Sequence, residues 1–188
     1  MATTTYILGS GPVSDERVRL DTQHVYLRKL TRGLLPKDIS DHVSKLPSPR
    51  IADVGTGTGV WLRDLATHLP STSRLYGFDI DTEKFPSSET LPANITFRSL
   101  DAMKPVPEEH VGSYDVVHAR LFMYALKKGE WEVMACNLAG FLKPGGWLLW
   151  EETGYPSCVS LPPSPAINAI FDYDIRFAQK LGRDITYD

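Results

Sequence analysis

The stretch Arg50-Ile51-Ala52-Asp53-Val54-Gly55-Thr56-Gly57-Thr58-Gly59-Val60 decides the fold. It opens on a short apolar run and closes on three glycines at alternate positions. The segment that follows, Val60–Leu69, carries Leu62, Leu65 and Leu69 at helical spacing and is halted by Pro70. A strand, a glycine turn and a helix in that order form the opening βα unit of a parallel sheet. Glycine at such a turn adopts positive φ and lets a ligand approach the backbone closely. The dinucleotide fingerprint is G-x-G-x-x-G, whereas the spacing here is G-x-G-x-G, with Val at position 60. Asp53 lies two residues before the first glycine. A carboxylate there repels a pyrophosphate and suits a cationic ligand that brings an ammonium group. A tight turn without a ligand is the alternative.

Outward from this unit, strand-like runs recur at Arg74–Phe78, Asn94–Arg98, Tyr114–His118 and Trp147–Glu151. The run Glu130–Leu142 places Trp131, Met134, Leu138 and Phe141 on one helical face and stops at Lys143-Pro144-Gly145-Gly146. Alternating strands and helices predict an α/β fold with a parallel sheet and right-handed crossovers. Upstream, Ser14 reads as an N-cap for a helix over Asp15–Arg32, with Asp15 and Glu16 at the positive end of its dipole. Ile39, Val43 and Leu46 mark a short second helix ending at Pro47-Ser48-Pro49. Downstream of Thr153 a Pro/Ser-rich loop leads to a helix over Ala166–Leu181. The expected organisation is an N-terminal helical cap over 1–49, a ligand-binding core over 50–153 and a C-terminal loop and helix over 154–188.

Composition narrows the function. The chain has 188 residues, 42% hydrophobic and 23% charged, with a net charge of −3, which excludes a disordered chain and suits one domain. The acidic balance argues against a nucleic-acid surface. No apolar run reaches the ~20 residues of a membrane helix. The N-terminus Met1–Pro12 lacks a basic n-region and a long apolar core, so it does not read as a secretory signal. Cys136 and Cys158 make no disulfide framework, which points to a reducing compartment, cytoplasmic with the nucleus left open. Cys136 is expected to be buried and inert, and the Cys/His spacing predicts no metal site.

Two more acids stand where an adenosine ligand needs them. Asp79 ends the second strand-like run, where a carboxylate can accept from both ribose hydroxyls, and Asp101-Ala102 follows the third, beside a place for an adenine amino group. Either alone could be a solvated loop acid or a helix cap. Three acids at the carboxyl ends of three consecutive strands point to one ligand crevice. S-adenosylmethionine, with an amine, a sulfonium and no phosphate, has the matching chemistry.

These motifs resemble the class I S-adenosylmethionine-dependent methyltransferases. Asp53–Gly59 is similar to their first motif, Gly77-Phe78-Asp79-Ile80 to the second and Asp101-Ala102 to the third. Ser113–Arg120 looks like their fourth-strand motif and Leu142–Trp147 like the turn before the fifth strand. The N-terminal Tyr6-Ile7-Leu8 and Asp15–His24 are similar to a fungal branch of small-molecule methyltransferases and methyltransferase-like regulators. The resemblance implies a Rossmann-like sheet in the order 3-2-1-4-5. It implies that Asp53, Gly55, Thr56, Gly57 and Gly59 hold the methionine part of the cofactor, Asp79 and Ile80 the ribose, and Asp101 and Ala102 the adenine. Arg120 would line the other side, and Tyr6 would close over the cofactor or serve as an N-terminal anchor. S-adenosylhomocysteine would be the product.

The acceptor side is less legible. His24 is a candidate base, weighed against a surface or capping histidine, and Glu151 is a second, at the end of the fifth strand. Adjacent strand residues face opposite ways, so at most one of Glu151 and Glu152 should face a pocket. Phe122, Met123 and Glu152 are the candidate substrate contacts, with packing against helices as the alternative for the first two. His118 is expected in the core or cofactor shell, and Trp147 and Trp150 as packing. The expected reaction is methyl transfer to the O or N of a small secondary-metabolite-like molecule. A regulator that binds a partner chain, or an isomerisation or pericyclisation on the same cofactor site, is the alternative. The family pattern ends in a sixth and seventh strand forming a hairpin beside the fifth, and none is read here. An apolar strand at Trp147–Glu151 would then need a cover: the last helix, a second copy of the chain or a protein partner, unless the chain is truncated.

Overall fold

The computed structural model describes residues 12–153, 160–183 and 185. Tyr6 and Cys158 lie outside the described residues. Five parallel strands, β1 (Arg50–Val54), β2 (Arg74–Asp79), β3 (Ile95–Ser99), β4 (Tyr114–Arg120) and β5 (Leu142–Glu151), form one sheet in the order β3-β2-β1-β4-β5. The α/β class and the strand order agree with the sequence reading. Helices α1 (Val13–Leu30), α2 (Lys37–Val43), α3 (Val60–Ala66), α4 (Trp131–Phe141) and α5 (Pro165–Lys180) complete it. Only short 3-10 turns link β2 to β3 and β3 to β4, as the prolines there require.

Strand alternation sorts the core into two layers. Ile51, Leu75 and Val116 face Trp61, Leu62 and Leu65 of α3 and Ile39 and Val43 of α2. Ala52, Val54, Phe78, Val117 and Ala119 face Met134, Leu138 and Phe141 of α4. Asp53 and His118 are partners in register on adjacent strands, on the α3 side with Ile51 and Val116. Two polar groups are thereby placed in an otherwise apolar layer.

Several expectations are corrected. The cap position of α1 is Pro12, with φ −55° and ψ 140°, and Ser14 lies inside the first turn. The ring fixes the entry angle that a capping hydroxyl was expected to supply. On α1 the apolar Val18, Val25 and Leu30 point outward, and Glu16 and His24 are its buried residues. Polar bonds, described below, hold this helix instead. Helix α4 ends at Phe141, just before Lys143–Gly146 as expected, but the fifth strand begins at Leu142, which pairs with Tyr114, and not at Trp147. The Pro-Gly-Gly sequence becomes an irregularity between the Tyr114 and Val116 pairings, where Pro144 has no N–H to give. Cys136 is exposed, because the inward face of α4 belongs to Met134, Leu138 and Phe141. Trp147 is 40% exposed, whereas Trp150 stacks on Trp131 at 5.5 Å. On α5 only Ala178 is buried, packing with Met123 and Ile185, and Ile170 is exposed.

Candidate functional site

The glycine turn is held from beneath by β2. The amides of Gly55 and Thr56 donate to the Phe78 carbonyl at 2.8 and 3.0 Å. The amide of Gly57 donates to Asp79 Oδ2 at 2.7 Å, and that of Asp81 to Asp79 Oδ1 at 2.9 Å. Gly55 has φ +73°, and a Cβ on it would lie 2.5 Å from Phe122 Cζ. Gly59, at φ +68°, leads into α3 with the Phe97 ring against it. Both positions need glycine for conformation and for space.

Above the carboxyl ends of β1, β2 and β3 lies a cleft of about 580 Å³. Its walls include Asp53, Gly55, Thr56 and Gly57 from the first turn and Asp79, Ile80 and Lys84 after β2. Asp101, Ala102 and Met103 follow β3, Arg120 and Phe122 follow β4, and Glu16, Leu20 and Gln23 come from α1. Such a volume suits a drug-sized or cofactor-sized ligand. Burial pushes the Asp79 carboxyl above the usual aspartate range, although the Asp81 and Gly57 amides and Lys84 pull it down.

Helix α1 covers the cleft through polar contacts. Arg17 donates to the carbonyls of Lys84 and Phe85. Asp21 accepts from Thr58 Oγ1 at 2.6 Å and pairs with Arg63 at 3.3 Å. Buried His24 meets Asp64 Oδ2 through Nε2 at 2.9 Å and Arg120 Nη1 through Nδ1 at 3.2 Å. Arginine can only donate, so Nδ1 accepts and Nε2–H donates to Asp64: His24 is neutral. Burial, partly offset by Asp64, lowers its pKa, and Arg120 and Arg28 lower it further. Its one lone pair is taken, so service as a base requires Arg120 to move.

Behind the cleft wall runs a buried polar chain. Asp53 Oδ2 accepts from Thr56 Oγ1 at 2.6 Å. Asp53 Oδ1 is 2.7 Å from His118 Nδ1, and His118 Nε2 is 3.1 Å from Glu151 Oε2. The His118 ring, wholly buried, stacks on Trp61 at 3.8 Å and 10°. Glu152 turns away to accept the amides of Phe122 (2.7 Å) and Met123 (3.3 Å) and Trp150 Nε1–H (2.7 Å). It thereby fixes the turn that carries Phe122. Burial raises its pKa, against those three donors.

The structure therefore gathers Asp53, Gly55, Thr56, Gly57, Asp79, Ile80, Asp101, Ala102, Arg120 and Phe122 around one cleft, with Gly59 at the foot of α3. His24, Glu151, Met123 and Glu152 are not among the residues lining it. Met123 packs with Ala178 and Ile185. Sequence reasoning missed Leu20 and Gln23 of α1, which line the cleft with Glu16 at i, i+4, i+7 spacing, and Asp21, which accepts from Thr58. It also missed the pairing of His118 with Asp53, which follows from β1–β4 register. Among the described residues no cluster of His, Cys, Asp or Glu could hold a metal ion, and no helix is long and apolar enough to cross a membrane.

A parallel sheet in this order, with a glycine turn after β1, an acid at the carboxyl end of β1 and of β2 and another just after β3, defines the Rossmann-like methyltransferase fold, whose cofactor is S-adenosylmethionine. A family model described as a methyltransferase domain matches residues 51–146, and the chain belongs to that family. It is 39% identical over 163 residues to the methyltransferase grgD of a Penicillium species, covering 81% of this chain and 54% of grgD. It is 36% identical over 141 residues to the N-methyltransferase tcpN of Claviceps purpurea, covering 73% of this chain and 48% of tcpN. The structure of a DhpI–SAH complex shares the fold, with a TM-score of 0.53 at 17% identity, covering 76% of this chain and 67% of that one. The chain thus spans about half the length of these two curated relatives.

The residues present fit the cofactor. The cleft has carboxylates for an ammonium group and hydroxyls, a glycine backbone for close approach, an arginine for a carboxylate, and apolar Ala102 and Met103 beside Asp101 for a ring.

Proposed function

We propose that the cleft binds S-adenosylmethionine and serves methyl transfer to the O or N of a small secondary-metabolite-like acceptor. The observation that carries this reading is the convergence of Asp53, Asp79 and Asp101 on one cleft, with the Gly57 amide already aligning Asp79. The cofactor supplies an electrophilic methyl group on a sulfonium, and the protein supplies orientation and a place for the acceptor's proton. In this reading Asp79 accepts from the ribose hydroxyls and Asp101 from the adenine amino group. Asp53 and Arg120 attend the amino-acid end. Ile80 packs against the ribose, and Phe122 stands where the acceptor side begins. Of the two candidate bases, Glu151 has its side chain 24% exposed with Oε2 held on His118, and His24 has its lone pair on Arg120; neither lines the cleft, so either would have to move to reach an acceptor. The relatives' names support methyl transfer, and tcpN supports nitrogen as one acceptor atom.

The test is incubation with methyl-labelled S-adenosylmethionine and a panel of small amines and phenols, following S-adenosylhomocysteine and labelled product together. Acceptor-dependent release of both is expected. Product without S-adenosylhomocysteine would favour an isomerisation or cyclisation on the same site.

We also infer that another polypeptide, a second copy of this chain or a protein partner, covers the outer edge of β5. Among the described residues β5 pairs only with β4, and Trp147 and Leu148 are exposed beside that edge. A monodisperse monomer in solution scattering at micromolar concentration would contradict this.

A further inference from the structure

We propose that His118 is a positioning residue, held as an imidazolium between Asp53 and Glu151, that fixes the Asp53 carboxylate at the wall of the cleft. The inference rests on the reading that this cleft takes S-adenosylmethionine.

The argument begins with donors and acceptors. Both ring nitrogens end on carboxylate oxygens, Nδ1 on Asp53 at 2.7 Å and Nε2 on Glu151 at 3.1 Å. An ionised carboxylate only accepts. A neutral imidazole has one N–H, so it would leave a lone pair against one of the two anions. The imidazolium has two N–H groups and satisfies both. The ring is wholly buried, so water cannot repair a mismatch.

The charges around it agree. Asp53 comes from β1, Glu151 from β5 and Arg120 from β4, the strand of His118 itself, while α3 contributes the uncharged Trp61 ring, stacked at 3.8 Å. A cation over an aromatic face is favoured. Burial opposes the charge, and so does Arg120, but Asp53 and Glu151 outweigh them and the pKa of His118 is raised.

The consequence reaches the cleft through Asp53, which lines it while His118 does not. Asp53 has one oxygen on His118 and the other on Thr56 Oγ1, so its orientation is set before any ligand arrives. Glu151 holds the far nitrogen from β5 and closes the chain Glu151–His118–Asp53–Thr56 across three strands and the glycine turn. Loss of the proton puts a lone pair against one anion, loosens the chain and disorders the Asp53 wall.

Two measurements on the full chain test this. The first is a long-range ¹H–¹⁵N spectrum of the histidine rings from pH 6 to 9, with His118 assigned by its loss in His118→Asn. Both His118 nitrogens should be of the protonated type at pH 7. In Glu151→Gln, which keeps the shape and removes one anion, the midpoint should fall by about one to three pH units. The second is calorimetric titration with S-adenosylhomocysteine over the same pH range. Affinity of the native chain should fall as pH rises through the His118 midpoint, and in Glu151→Gln that fall should move by the same interval. A neutral His118 at pH 7 with good binding overturns the inference and leaves the cofactor reading intact. Binding that is flat, or that strengthens because Asp53 is freed to meet a cation, also overturns it. An imidazolium with no binding at any pH overturns both.

Discussion

The amide of Gly57 donates to Asp79 Oδ2 at 2.7 Å, joining the turn after β1 to the end of β2. The acid assigned to the ribose is therefore oriented by the loop assigned to the methionine part. Replacing Asp79 by Ala removes an oriented acceptor and leaves the amides of Gly57 and Asp81 without it. Hydrogen bonds to charged groups contribute about 1.5–3 kcal/mol each, so S-adenosylhomocysteine affinity should drop roughly tenfold or more.

Acid should weaken the same binding. Asp79 must be ionised to accept from two hydroxyls, and burial raises its pKa despite its amide partners and Lys84. Its proton returns as pH falls through that raised value. Binding should therefore begin to fail above the usual aspartate range, and Asp79→Asn should flatten that limb of a calorimetric pH series.

Gly55→Ala should be damaging for two separable reasons. The position has φ +73°, and the new Cβ would stand 2.5 Å from Phe122 Cζ. Adding Phe122→Leu relieves the collision but not the backbone strain of about 1–2 kcal/mol. Thermal unfolding should show partial recovery in the double variant. Full recovery would mean that the strain is absent.

Glu152→Ala should destabilise the chain by about 1–3 kcal/mol, since two amides and the Trp150 indole N–H lose a buried acceptor. Because those amides belong to Phe122 and Met123, cofactor binding should weaken with it. Chemical denaturation and calorimetry on one sample check both.

Trp61→Ala opens the layer beneath the site, because Trp61 packs with Leu62, Leu65 and Ile51 and supports the His118 ring. A loss of about 3–5 kcal/mol in denaturant unfolding is expected.

Much of the binding half was legible in the sequence, because each of its signals is local. Asp53, Asp79 and Asp101 each end a recognisable strand, and the turn is written in Gly55, Gly57 and Gly59. What escaped depends on contacts distant along the chain. The buried residues of α1 are Glu16 and His24 while Val18, Val25 and Leu30 point to solvent, so apolar spacing does not mark its inward face. Its attachment runs through Asp21 to Thr58 and His24 to Asp64 and Arg120, pairs that no spacing rule connects. Glu151 ends β5 and meets His118, whereas Glu152 lies beyond the strand, and neither lines the cleft. That Glu152 would fold back onto the amides after β4 depended on the turn at Leu121, whose φ is +60°.

The most direct test of the central claim is isothermal titration of the chain with S-adenosylhomocysteine at neutral pH, alongside Asp79→Ala. The expected result is one saturable site that weakens at least roughly tenfold in the variant. No heat at millimolar ligand, or equal affinity in both proteins, would contradict it.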